Sequence, residues 1–151
     1  MVSLFNKTSP LDKKYERLFA YVPQDNLLME GTIKEVISLY ELDADDERLQ
    51  EALALSNSDT FINELALKEN TYLNEKGSGL SLGEMERIAI ARALYSDAPI
   101  MLLDECSASL DAETEKKVIN NILSLNNKTI VLISHHKYDE SLFDQVIDLG
   151  E

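Results

Sequence analysis

Two short, continuously apolar runs separated by one amphipathic stretch restrict the fold of this chain more than any other feature. Residues 98–105 read APIMLLDE, residues 129–136 read TIVLISHH, and the helical stretch AETEKKVINNILSLN lies between them. Runs of this length and composition are typical of strands buried on both faces of a sheet. Strand, helix and strand in this order predict a parallel βαβ unit, and therefore an α/β fold with flanking helices.

The part of the chain before these runs predicts one further strand and then a group of helices. LFAYVPQ at 18–24 is β-favouring and contains a late proline, which indicates a strand leading into a loop at Gln24. Amphipathic stretches with suitable capping residues follow at 33–42 after Thr32, at 45–56 with Asp45 and Asp46, and at 58–70 with Ser58 or Asp59. We therefore predict a connector and first strand at 1–30, a helical subdomain at 31–80, and the rest of the core at 81–151.

Charge and hydropathy exclude several classes of function. The formal net charge of −14 argues against a nucleic-acid partner, because phosphate backbones are bound by clustered lysine and arginine. The single cysteine, Cys106, cannot build a disulfide framework, so we expect a reducing compartment and a small buried thiol. No apolar run reaches the roughly 18 residues of a membrane span. Any link to a membrane is then expected to come through a partner or a further segment.

Polar residues stand where each of the three predicted strands ends. They are Gln24, Asp104 with Glu105, and His135. The carboxyl ends of parallel strands meet at one edge of a sheet, where ligands gather. Asp104 suits Mg²⁺, Glu105 suits a water molecule to be oriented or deprotonated, and His135 suits a γ-phosphate. The alternatives are a solvated Asp-Glu strand end and a structural histidine.

The stretch GLSLGEMERIAIARAL, residues 79–94, predicts a helix with an anion site at its start. Ser81 and Glu84 have the spacing of a capping box, directly before an apolar-periodic run. Free amides and a hydroxyl at a helix N-terminus suit a phosphate. The alternative is an ordinary capped helix that packs Ile88, Ala91 and Leu94 on a core.

Taken in order, these segments resemble the later two-thirds of an ATP-binding cassette (ABC) transporter ATPase domain, especially that of exporters. YVPQDNLLMEGTIKEVI resembles the Q-loop and the start of the helical subdomain, and GSGLSLGEMERIAIARAL resembles the signature helix. APIMLLDECSASLDAETE resembles the Walker B strand with the D-loop, and TIVLISHHK resembles the switch-histidine strand. The resemblance runs from about Leu18 to the C-terminus and implies a partial P-loop NTPase core that uses ATP and Mg²⁺.

The resemblance also implies a role for each matching position. Catalysis would fall to Glu105 as base, His135 as switch histidine and Gln24 as the Q-loop glutamine. Mg²⁺ would be held by Asp104 with Gln24. Nucleotide bound mainly by an opposing subunit would face the signature and D-loop residues, which are Ser81, Leu82, Gly83, Glu84 and Asp111. Glu75 falls where exporters carry a loop that touches the transmembrane helices.

This sequence departs from the family pattern in the signature and in the phosphate loop. Leu82 replaces a glycine, and Glu84 replaces a glutamine, which puts a carboxylate near a phosphate. The phosphate-loop pattern G-x-x-x-x-G-K-[ST] has no match, because none of the five glycines precedes lysine plus serine or threonine. We therefore expect the chain to lack ATPase activity by itself and to leave apolar sheet surface uncovered.

Three functions fit these expectations. The first is the catalytic and signature portion of an exporter ATPase, active once a phosphate-loop segment is supplied. The second is a non-catalytic module or degenerate half-site that binds a transporter or a partner ATPase, and the third is a lobe of a chromosome-maintenance ATPase. The first implies a second ABC subunit and a transmembrane domain as partners, and a peripheral position at the cytoplasmic face of the membrane. The acidic charge and the motifs GTIKE and SASLD argue against the third.

Overall fold

The computed structural model describes residues 18–24, 29–74, 79–148 and 150. Within these residues the strands are β1 Phe19–Val22, β2 Gly31–Thr32, β3 Tyr72–Leu73, β4 Ile100–Asp104 and β5 Thr129–Ile133. The α-helices are α1 Ile33–Ile37, α2 Asp46–Leu55, α3 Asp59–Ile62, α4 Leu82–Tyr95 and α5 Ala112–Leu123. Single 3₁₀ turns lie at Lys68–Asn70 and Glu140–Leu142.

The central sheet has the order β1-β4-β5, and both strand pairs are parallel. Val22 lies opposite Leu103 in the first pair, and Asp104 lies opposite Ile133 in the second. Parallel pairing requires a long crossover, which α5 provides between β4 and β5. This arrangement confirms the predicted α/β fold with a parallel sheet and flanking helices.

The two faces of this sheet differ in burial. Met101 and Leu103 of β4 point into the hydrophobic core and are fully buried, as strand alternation requires. The other face carries Tyr21, Val131 and Ile133, which are 54%, 44% and 50% exposed. The prediction of a fully buried last strand was therefore wrong for β5. Among the described residues, β5 is an edge strand whose second face is open to solvent.

Helix α4 lies at the centre of the described core. It packs against α1, α2 and β1, and its residues Ile88, Ile90 and Ala91 are fully buried. Ser81 begins the helix with the predicted capping box: its hydroxyl accepts from the Glu84 amide, and the Glu84 side chain accepts from the Ser81 amide. Because the body of α4 is buried and its exposed start is capped, the backbone of its first turn is held in a fixed position.

The helices between β2 and β3 are shorter than the sequence predicts. Thr32 caps α1 through a capping box with Glu35, and Asp45 caps α2, as expected. The stretch predicted as a helix at 58–70 is helical only at Asp59–Ile62 and in the 3₁₀ turn at Lys68–Asn70. β2 and β3 pair antiparallel and bring the two ends of this helical region together. The exact division of the chain into three parts stays a prediction.

The stretch predicted as a helix at 33–42 ends early for a local reason. Leu39 and Tyr40 have φ values of 54° and 59°, in the left-handed region that stops a helix. The Tyr40 amide donates to the Glu35 carbonyl at 2.9 Å, and its hydroxyl donates to the Glu30 carbonyl. Such an ending normally uses glycine, so the sequence carries no signal for it. In the part of the chain described, every helix is too short or too polar to span a bilayer.

Candidate functional site

The structure brings together the four polar residues that the sequence places at strand ends. These residues, the strand-end cluster, are Gln24, Asp104, Glu105 and His135. The Gln24 amide nitrogen Nε2 donates to the Glu105 carboxylate oxygen Oε2 at 2.9 Å. The His135 nitrogen Nδ1 lies 3.5 Å from the same oxygen. Three separate segments of the chain thus meet at one carboxylate.

Asp104 ends the central strand β4 and bonds a residue that sequence reasoning missed. The hydroxyl of Tyr21 donates to the Asp104 oxygen Oδ2 at 3.1 Å, and this hydrogen bond raises the pKa of Tyr21. Tyr21 lies opposite Leu102, so its side chain is on the same sheet face as that of Asp104. Tyr21 and Asp104 are neighbours because of the register of β1 against β4, which cannot be read from the sequence alone.

Glu105 has a left-handed backbone conformation that few residues other than glycine adopt. Its φ is 45°, and its amide donates to the carbonyl of Ile133 at 2.9 Å. Left-handed conformations of residues other than glycine cost about 1–3 kcal/mol and persist where the surroundings hold them, often at functional sites. The kink turns the Glu105 side chain out of the strand alternation and toward Gln24 and His135, whose nitrogens lie at 2.9 and 3.5 Å.

The predicted signature residues form a separate group at the start of α4. The Glu84 oxygen Oε2 accepts from the Ser81 amide at 2.7 Å and from the Ser81 hydroxyl at 2.8 Å. The Glu84 carboxylate therefore folds back over Ser81 and accepts the hydrogen bond that the Ser81 hydroxyl donates. Leu82 points outward and is 66% exposed. Among the described residues, no hydrogen bond or ion pair joins this group to the strand-end cluster.

A close contact links α4 to the loop between β4 and α5. The buried Glu86 carboxylate accepts from the Ser109 amide with both oxygens, at 3.2 and 3.0 Å. A Cβ atom on Gly83 would lie 2.9 Å from the Ser109 carbonyl oxygen, closer than real contacts allow. Gly83 thus allows this loop to approach α4 closely, and Glu86 binds the loop through hydrogen bonds. Sequence reasoning missed Glu86, because an acidic residue in a helix resembles a solvent-facing position.

Asp111 has a local role that is visible in this structure. It is the N-cap of α5, and its side chain accepts from the amides of Glu113 and Thr114 at 3.1 and 3.0 Å. The hydrogen bond from Thr114 lowers the pKa of Asp111. The role across a dimer that the resemblance implies stays a prediction. Glu75 lies outside the described residues.

Two further residues near the strand ends, one buried and one half-buried, differ in chemistry. Cys106 is buried as expected, and burial raises the pKa of its thiol to about 12, which leaves it unreactive at neutral pH. The side chain of Glu115 is 14% exposed and accepts from Tyr138, His136 and Ser107. Burial alone would raise the pKa of Glu115, but these three donors lower it.

The lowered pKa of Glu115 predicts acid sensitivity. A carboxyl with a folded pKa below its unfolded value of 4.5 contributes stability that is fully present above 4.5 and lost as pH falls through the folded pKa. We expect the melting temperature of the chain to fall with pH in that window, and the fall to be smaller in Glu115→Gln. Thermal unfolding from pH 7 to 3 measures both; parallel curves for the two proteins would contradict the assignment.

Comparison with known proteins gives the same family as the motifs. The family model described as ABC transporter matches residues 4–108, more than half of the chain. The chain belongs to the ABC transporter family. It is similar in sequence to exporter-like ABC nucleotide-binding domains.

Curated relatives support the exporter-like character. The Streptococcus pneumoniae transport/processing ATP-binding protein ComA is 38% identical over 93% of this chain and 20% of its own length. The Mannheimia glucosida leukotoxin translocation ATP-binding protein LktB is 37% identical over 87% of this chain and 19% of its own. The Bartonella bacilliformis β-(1→2)glucan export protein NdvA is 41% identical over 79% of this chain and 20% of its own. The chain spans about a fifth of the length of these relatives.

A solved structure supports the same fold. The structure of a bacterial Atm1-family ABC exporter with ATP bound matches with a TM-score of 0.73 and 31% identity. The match covers 80% of this chain and 21% of that one. The predicted partial nucleotide-binding fold is thus confirmed.

Proposed function

We propose that this ABC chain forms the catalytic and signature portion of an exporter ATPase, which couples ATP hydrolysis to transport across a membrane. The observation that carries the proposal is the position of the Glu105 carboxylate, 2.9 Å from the Gln24 amide and 3.5 Å from the His135 ring. A carboxylate held by an amide donor at a strand end suits a general base for an attacking water. The names of these relatives describe ATP-binding proteins of transport, translocation or export, which supports the same reaction class.

The residues at the end of β4 also fit a Mg²⁺ ion. The described residues contain no group of three or more histidine, cysteine or acidic side chains placed to hold a metal. Mg²⁺ does not need such a cage, because it keeps several waters and binds one or two carboxylates together with substrate phosphates. Asp104 would supply the carboxylate, and the Gln24 amide, which donates to Glu105 through Nε2, still has Oε1 as an acceptor. When bound, the ion would neutralise charge on the transferred phosphate.

The protein groups would then divide the work of hydrolysis. Glu105 accepts a proton from the attacking water, and Gln24 and His135 hold that carboxylate and the water in line. The strained backbone of Glu105, with φ of 45°, keeps the carboxylate in place before the reaction. Ser81 and Asp111 would contact nucleotide on a second ABC subunit. The chain would lie at the cytoplasmic face of the membrane and pass its conformational change to a transmembrane domain.

One observation favours a second candidate, the degenerate half-site that binds a transporter or partner ATPase. The Glu84 carboxylate occupies the Ser81 hydroxyl at 2.8 Å, and a carboxylate beside a phosphate is repulsive. Such a signature would close poorly on a partner's nucleotide even with an intact strand-end cluster. Glu84→Gln removes the negative charge and distinguishes the two candidates. The substitution should increase the rate of ATP turnover only if the signature residues limit that rate.

The direct test uses a completed domain, in which a segment with a phosphate loop is joined ahead of residue 1. We expect the completed domain to bind and hydrolyse ATP, and the chain alone to do neither above background. Equilibrium binding and phosphate release measure the two activities. A completed domain that is folded and binds ATP but never hydrolyses it would support the degenerate half-site instead.

Asp104→Asn in the completed domain tests the assignment to Mg²⁺. We expect ATP affinity in the presence of Mg²⁺ to fall by roughly tenfold or more, since even indirect metal partners cost that much when lost. Affinity measured with a chelator present should not change. Tyr21→Phe is the matched comparison, because it removes only the hydroxyl that bonds Asp104. If ATP affinity depended equally on Mg²⁺ in Asp104→Asn and in the unchanged domain, the assignment of Asp104 to Mg²⁺ would be contradicted.

A further inference from the structure

One carboxylate oxygen of the half-buried Glu115, Oε1, accepts from three side chains at once. The Ser107 hydroxyl donates at 2.9 Å and the Tyr138 hydroxyl at 2.7 Å. The His136 nitrogen Nδ1 lies at 2.6 Å. Glu115 itself lies in the first turn of α5, whose later residues Val118 and Ile119 are buried in the core.

These three donors come from the two loops that present the proposed catalytic groups. Ser107 is two residues after Glu105, in the segment between β4 and α5. His136 directly follows His135, and Tyr138 lies two residues further along the segment after β5. A single acceptor on a core-anchored helix therefore joins the base loop to the histidine loop.

We infer that Glu115 is a positioning residue for ATP hydrolysis, which sets the distance between Glu105 and His135 by holding Ser107, His136 and Tyr138 on one oxygen. This inference rests on the proposed function, because it assigns Glu105 and His135 to the reaction. Glu115 touches neither nucleotide nor water in this proposal and acts only through its three donors.

The hydrogen bonds determine how the two histidines are oriented. A carboxylate is only an acceptor, so the His136 nitrogen Nδ1 must carry the hydrogen that it shares with Glu115. The fixed His136 ring contacts the His135 ring edge to face, with centroids 4.4 Å apart and an interplanar angle of 77°. His135, whose side chain is exposed, thus has a rigid neighbour on one side. Loss of the Glu115 charge should release both rings.

The first test uses the chain itself and measures the two histidine rings by ¹⁵N-edited NMR. In the unchanged chain we expect His136 to carry its hydrogen on Nδ1. In Glu115→Gln we expect this tautomer preference to weaken and the His135 ring resonances to shift. Glu113→Gln is the matched control, an exposed glutamate on the same helix that undergoes the same chemical change. Unaltered His135 and His136 resonances in Glu115→Gln would overturn the inference.

The second test measures kcat and KM for ATP in the completed domain. We expect Glu115→Gln to lower kcat by roughly tenfold with little change in KM, since misplaced groups cost rate rather than binding. His136→Asn keeps a donor at the position of Nδ1 and should retain most of kcat, whereas His136→Leu should lose it. A residue that is merely structural would lose stability in all three variants without this split, and that result would overturn the inference.

The two tests separate failure of this inference from failure of the proposed function. If Glu105→Gln left hydrolysis unchanged, the proposed base would be wrong, while the NMR coupling of Glu115 to the histidines would stand or fall by itself. If Glu105→Gln abolished hydrolysis and Glu115→Gln changed neither kcat nor the His135 resonances, only the positioning role would be wrong. A Glu115→Gln chain that does not fold leaves the His136→Asn and His136→Leu pair to decide.

Discussion

Glu105→Gln should abolish ATP turnover in the completed domain and leave ATP binding intact. The substitution preserves side-chain size, and its amide oxygen can still accept from Gln24 Nε2, which lies 2.9 Å from the present carboxylate. The loop geometry therefore survives while the proton acceptor is lost. General-base catalysis contributes about 10²–10⁴-fold, so we expect the rate to fall by about a hundredfold or more. The domain should then accumulate as an ATP-bound dimer.

Two measurements check this result, phosphate release under saturating ATP and the elution volume of the ATP-bound protein in size-exclusion chromatography. Glu113→Gln on α5 makes the same chemical change at an exposed position and should leave both measurements as they are. Near-normal hydrolysis by Glu105→Gln would remove the base from the mechanism. It would also favour the non-catalytic module over the exporter ATPase.

The sheet and the strand-end cluster could be predicted from the sequence because both depend on local patterns. Apolar runs of strand length, each followed by a polar residue, give parallel strands whose ends must meet. Gln24, Asp104, Glu105 and His135 could be grouped without knowing any distance. Capping boxes at Thr32 and Ser81 were equally local, since each depends on two residues three positions apart.

The supporting contacts could not be predicted because they depend on register and on tertiary packing. Tyr21 meets Asp104 only through the pairing of β1 with β4. Glu86 and Glu115 are acidic residues in amphipathic helices, a pattern that usually indicates solvent exposure. In the folded chain they bond Ser109 and His136 across 23 and 21 residues of sequence. No spacing rule connects residues so far apart.

Helix lengths were overestimated where the chain turns without glycine. Leu39 and Tyr40 end α1 in left-handed conformations that large apolar residues rarely adopt. The apolar periodicity continues past Ile37, so the pattern extends the helix while the backbone ends it. The same limit applies to Glu105, whose φ of 45° bends the chain just after β4. Strain of this kind is held by surrounding contacts, which a single sequence does not reveal.

Gly83→Ala should destabilise the chain, although alanine normally stabilises a helix. Replacing glycine by alanine within a helix gains about 0.5–1 kcal/mol when the new methyl group has space. Here that methyl group would lie 2.9 Å from the Ser109 carbonyl oxygen and 3.3 Å from Leu110 Cδ2. Overpacking of this kind costs about 1–3 kcal/mol, so we expect a net loss in the free energy of unfolding.

The sign of the change therefore tests whether the start of α4 packs against the loop that follows β4. Urea unfolding of the chain with and without Gly83→Ala measures it. Adding Leu110→Ala should not restore stability, because the closer of the two contacts is with backbone that no side-chain truncation removes. A more stable Gly83→Ala chain would show that Ser109 does not lie against Gly83. The bond from the Ser109 amide to Glu86 would then be in doubt as well, since both contacts place the same residue on the same helix.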